Sequence, residues 1–122
     1  MSYYQETQPT YKVNVLGEEY SVYTDVPREQ DSIFEHLDGY CDKTVRRIAL
    51  AGKGEDCDLD DFTVYAKNNL RHELIHAFLF ESGLDGNSSW DNGACDHPEQ
   101  IVEWMALQFP KMLKAFQEVE AL

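Results

Sequence analysis

The chain has 122 residues and a formal charge of −13, which fits one domain around a single core and leaves no length for a separate substrate domain. So acidic a chain repels nucleic-acid phosphates and anionic lipid headgroups, so neither nucleic acid nor a membrane surface is an expected partner. The 43% apolar and 27% charged composition is that of an ordinary globule, with no apolar run of membrane-spanning length.

Residues 1–10 are polar, contain Pro9 and show no periodicity; they are expected to be a flexible lead-in to one domain over residues 11–122. They have neither a basic n-region nor an apolar h-region, so the expected address is cytoplasmic. Cys41, Cys57 and Cys95 are odd in number and outside any CxxC spacing, the pattern of free thiols rather than a disulfide framework.

From Tyr11 to Tyr23, Val13 and Val15 and then Tyr20 and Val22 alternate around Leu16-Gly17-Glu18-Glu19, which predicts a β-hairpin. After Pro27, Asp31 or Ser32 can cap a short helical segment through Ile33, Phe34 and Leu37 that ends at Gly39. Residues 43–51 are rich in β-branched and alternating residues and predict a strand, read here as a sheet edge. Its Lys43, Arg46 and Arg47 suit either edge protection or the reception of an extended peptide.

Residues 52–58 form an acidic loop whose Asp spacing lacks the central Gly and closing Glu of a calcium loop. Asp58 to Asp61 instead suit the start of a helix over about residues 60–82, with Gly83 as its C-cap. Apolar residues on several sides after Leu70 predict a helix through the middle of the core. Residues 85–93 read as a turn-rich loop in which Trp90 covers the core or lines a cleft. A last helix starts near Asp96 and carries Glu99, Ile101, Val102, Glu103 and Trp104, until Pro110 kinks or ends it ahead of an amphipathic tail.

The chemistry concentrates in His72-Glu73-Leu74-Ile75-His76. Residues four apart on a helix share a face, so His72 and His76 can present two imidazoles to one Zn²⁺ while Glu73 lies on their flank as a base. A catalytic zinc takes three protein ligands and keeps a place for water, so one more ligand is required. Glu99 leads, with Glu103 one turn further as a partner for a ligand imidazole; His97, His36, Asp96 and Cys95 are alternatives. A capping box between Asp96 and Glu99 would explain those two residues without a metal.

The run His72-Glu73-Leu74-Ile75-His76-Ala77, then Gly83-Leu84, then Glu99-Gln100-Ile101-Val102-Glu103, resembles the gluzincin branch of zinc metallopeptidases. It looks closest to the minigluzincins and to phage- and prophage-encoded zincin-like proteins. Over residues 40–110 the resemblance implies an α+β, zincin-like fold, a small and mostly antiparallel sheet packed on a central HEXXH helix and a C-terminal glutamate helix. It also implies zinc ligands His72, His76 and Glu99, a general base at Glu73 and a supporting role for Glu103. His97-Pro98 and Glu103 depart from the usual Asn and Asp of that pattern. The expected activity is zinc-dependent hydrolysis of a peptide or protein substrate lying along residues 43–51, with Tyr40, His36 and His97 as candidate oxyanion partners. The rival expectation is a catalytically silent, zinc-stabilised binding or regulatory module. Nothing in the sequence sets the oligomeric state.

Overall fold

A computed structural model describes residues 2–84 and 99–122. In chain order these form α1 (Tyr3–Glu6), β1 (Tyr11–Val15), β2 (Glu18–Val26), two 3-10 turns (Arg28–Gln30 and Ser32–Glu35), β3 (Gly39–Asp42), β4 (Arg47–Ala51), α2 (Phe62–Ser82) and α3 (Glu99–Glu118). The architecture is α+β, with one four-stranded sheet in the order β1-β2-β4-β3. The sheet is mixed: β1–β2 and β3–β4 are antiparallel and β2–β4 is parallel.

The predicted hairpin forms, turning through Leu16 and Gly17, both at positive φ (52° and 96°), the backbone that a tight two-residue hairpin needs. Strand β2 runs on to Val26 across an irregularity at Asp25, whose φ is 58°. That irregularity puts Val26 on the same face as Tyr23, in the cluster with Phe34, Ala49 and Ala51.

The single strand expected over residues 43–51 is instead a hairpin. Asp42 accepts from the Thr44 backbone N–H at 2.9 Å and Arg46 takes a φ of 50°, so residues 43–46 reverse the chain and only Arg47–Ala51 are strand. Nor is that strand an edge. It lies between β2 and β3, with Ile48, Ala49, Leu50 and Ala51 all buried. Among the described residues the free edge on this side belongs to β3, whose first residue, Gly39, is expected from the sequence to end a helical segment.

Each sheet face carries a separate cluster. Val15, Tyr20, Val22 and Ile48 pack on Ala77 of α2, with Cys41, Leu70 and Leu74 at the margin. The opposite face is covered by Phe34 and by Tyr3, Tyr4 and Tyr40. The lead-in is therefore tied down rather than loose: the Tyr4 ring meets Tyr23 edge-on at 4.8 Å, and the Tyr4 hydroxyl donates to Asp31 at 2.6 Å.

Helix α2 begins at Asp61, whose carboxylate accepts from the N–H groups of Thr63 and Val64, and stops at Gly83 with φ 86°. It is not buried all round. Its sheet side is covered, whereas Phe78 remains 42% exposed on an outer side. Helix α3 packs across α2 and continues through Pro110 to Glu118, although the sequence predicts a kink or end there. Proline has no N–H for the Ala106 carbonyl one turn back; Arg71 of α2 supplies the missing donor, its Nε lying 2.7 Å from that oxygen.

Trp90, Cys95, Asp96 and His97 lie outside the described residues. Cys41 and Cys57 are free thiols. No described helix is long and apolar enough to cross a membrane.

Candidate metal centre

Helix periodicity sets His72 and His76 side by side on α2, ring centroids 5.0 Å apart. Their Nε2 atoms point at one carboxylate, that of Glu99 in the first turn of α3. One Glu99 oxygen lies 2.9 Å from His72 Nε2 and the other 2.8 Å from His76 Nε2. One turn further along α3, Glu103 reaches His72 Nδ1 at 2.8 Å. Its other oxygen accepts from Asn68 Nδ2 at 3.0 Å, and Asn68 in turn accepts from Arg71.

This arrangement tests whether a cation fits. Both nitrogens of His72 face carboxylate oxygens, and a neutral imidazole has only one N–H to give. Either His72 is an imidazolium or a cation stands on its Nε2 side. Without a cation, burial works against the charged ring, but the Glu103 hydrogen bond and the charges of Glu73 and Glu99 outweigh it and raise its pKa. The side chains of His72, His76 and Glu99 offer ligand atoms all within 4.8 Å of one another; donors around four-coordinate zinc sit roughly 3.3 Å apart, so the three need shift little to hold such an ion. His72, His76 and Glu99 can thus hold a metal ion, two imidazoles and a carboxylate being a donor set for a divalent transition metal.

Glu73 flanks the pair. Burial pushes its carboxyl up to about 7, with the Glu99 charge acting the same way and that of His72 opposing it. Gly39 faces this carboxyl across the cleft: a Cβ there would stand at an ordinary contact distance of 3.6 Å from Glu73 Cγ but clash with Leu50 Cδ2 at 2.6 Å. Next to His76, Phe80 stacks on the imidazole with centroids 6.1 Å apart.

These groups open on a cleft of about 450 Å3. One wall is α2 with Glu99; the other is β3, through Gly39, Tyr40 and Cys41, with Leu37 and Phe80 as apolar lining. The Ala51 N–H bonds to the Asp38 carbonyl at 2.9 Å. Antiparallel pairs alternate, so Tyr40 and Asp42 face β4 while Gly39 and Cys41 turn their backbone N–H and C=O to the free edge.

The structure thus brings together His72, Glu73, His76, Glu99 and Glu103. It does not offer Tyr40 as an oxyanion partner, because that hydroxyl donates to Asp31 at 2.8 Å and accepts from Arg47 at 3.3 Å. His36 ends the second 3-10 turn and is not part of the cleft lining. Substrate cannot pair along residues 43–51 as expected, since both sides of β4 are already paired. Sequence reasoning missed Asn68, Gly39 and Cys41. Asn68 was findable, standing four residues before His72 on the same helix face; the other two depend on a strand the sequence had not revealed.

Comparison of the chain with known protein families, with curated protein sequences and with solved structures found no match.

Proposed function

We propose that this chain is a small zinc-dependent peptidase, similar in its working parts to the gluzincins, that cuts peptides held in extended form along β3. The observation that carries the reading is a three-residue donor set beside a cleft with the half-buried Glu73 carboxylate on one wall and, on the other, a strand edge unpaired among the described residues.

Zinc held by His72, His76 and Glu99 would make its water acidic, from a pKa of 15.7 toward about 7, and polarise the scissile carbonyl. Glu73 takes the proton of the attacking water and returns it to the leaving amine, a task served by a carboxyl that titrates near neutrality. Glu103 keeps the His72 proton on Nδ1, leaving Nε2 as a ligand. The outward N–H and C=O groups of Gly39 and Cys41 pair with the substrate backbone and lay it across the cleft.

A peptide-library cleavage assay tests this with zinc-loaded protein, chelated protein and the Glu73→Gln variant. Cleavage should require zinc and vanish in Glu73→Gln while that variant still binds one zinc. Turnover that survives the substitution would show that the base is misassigned.

A second reading is favoured by one feature: Glu99 and Glu103 tie α3 to the α2 histidines, so a metal there also clamps two helices. A zinc-stabilised binding module follows if zinc raises the melting temperature but no peptide is cut.

A further inference from the structure

The side of β3 opposite the cleft is held by a polar cluster that the chemistry does not use. The Asp31 carboxylate accepts from two phenols, Tyr4 at 2.6 Å and Tyr40 at 2.8 Å. Arg47 of β4 donates to the Tyr40 hydroxyl at 3.3 Å, and its guanidinium lies 4.1 Å from the Tyr4 ring centroid. Tyr23 closes the far end, donating to the Tyr4 backbone carbonyl at 3.2 Å. A carboxylate between two hydroxyls and beside a guanidinium is a charge-assisted network with every member partnered.

Tyr40 belongs to this network by its side chain and to the cleft wall by its place in β3. It lies between Gly39 and Cys41, the two residues whose backbone groups face the free edge. Strand β3 has only four residues; on the α2 side Cys41 packs at the margin of the core and Asp38, just before the strand, accepts from Arg28 and Tyr65, while on the opposite face the Tyr40 phenol is the polar anchor of that edge. Sub-ångström placement of a substrate carbonyl matters at such sites.

We infer that Tyr4 and Asp31 are positioning residues: through the Tyr40 phenol, the N-terminal helix α1 sets the peptide-receiving edge of β3 relative to the metal centre. This rests on the peptidase reading for its effect on substrate, but not for its effect on the strand. Burial alone would raise the Asp31 carboxyl; the Tyr4 and Tyr40 hydrogen bonds overcome it, and the group is held below its ordinary value, as an anionic hub requires. The inference gives the lead-in a role in substrate binding, and makes α1 a place where cleavage or a partner would change affinity without touching the metal.

The test compares zinc-loaded wild type with Tyr4→Phe and Tyr40→Phe, each keeping its ring, and with Tyr4→Trp, which keeps an aromatic with a polar donor. Zinc content, KM and kcat are read beside hydrogen exchange at the Tyr40 and Asp42 amides, which face β4. The expected result is a rise in KM of roughly three- to tenfold in both Phe variants, with kcat and zinc content held, faster exchange at both amides, and no further rise when the two substitutions are combined. Unchanged exchange, or faster exchange with an unchanged KM, overturns the inference, as does a loss of zinc. If wild type cuts no peptide, the peptidase reading fails separately; exchange then decides, slow amides in Tyr4→Phe refuting the anchor and fast ones supporting it.

Discussion

His72 shows how much one side chain's chemistry depends on its two neighbours. Glu103 on Nδ1 fixes which nitrogen is free for a metal, and Asn68 holds Glu103 in place. Removing the charge but not the shape should therefore act on affinity before anything else. Glu103→Gln is expected to weaken zinc binding about 10- to 100-fold, measured by competition with a chromophoric chelator, with the circular dichroism of the apoprotein unchanged. Glu99→Ala, which deletes a ligand rather than its support, should abolish stoichiometric zinc in the same assay.

At the scale of elements, the join between α2 and α3 rests on a proline. Ala106 is fully buried, and its carbonyl has lost the N–H that residue 110 would otherwise give; Arg71 is the replacement. Stranding a buried acceptor costs about 1–3 kcal/mol. Arg71→Met should destabilise the protein by that amount in urea unfolding, and by clearly less in a Pro110→Ala background, where a helical N–H is restored. Equal losses in both backgrounds would mean that Arg71 acts elsewhere. The same contact explains why a helix expected to kink or end at Pro110 continues for two further turns: an interhelical donor satisfies what the intrahelical ladder cannot.

For the whole molecule, stability should follow acid and metal in separable ways. The Arg28 hydrogen bond, and that from Tyr65, hold the Asp38 carboxyl below its ordinary value despite partial burial, and it bridges the first 3-10 turn to α2. A depressed folded pKa stabilises the protein above the unfolded pKa, about 3.9, and that stability is lost as pH falls through the folded value. The unfolding free energy of wild type should thus decline below about pH 4 more steeply than that of Asp38→Asn, which starts lower and has less to lose. If the proposed site binds zinc, that is the second lever: at a free concentration 1,000 times its Kd zinc should add about 4.1 kcal/mol, seen as a rise in melting temperature that chelator reverses and Glu99→Ala lacks.

Read locally, the chain already specified α2. Asp61 and Gly83 are its caps, and a 100° step per residue is enough to put His72 and His76 on one face with Glu73 beside them, since both depend only on neighbours along one helix. The first hairpin was legible for a similar reason, its strands being joined by two residues. What only the tertiary structure decided depends on groups far apart in the chain. Whether residues 43–51 are an edge turns on β2 pairing with β4 across a crossover, and no alternation within nine residues can report that. Choosing Glu99 over His36, the one alternative third ligand among the described residues, required α3 to lie against α2, which burial of Val102 and Ala106 and the Arg71 contact bring about. The docking of Tyr4 was equally invisible, because a one-turn helix has no period of its own and is held by partners at Tyr23 and Asp31. Local periodicity fixes which face a side chain shares; only long-range burial fixes what stands opposite that face.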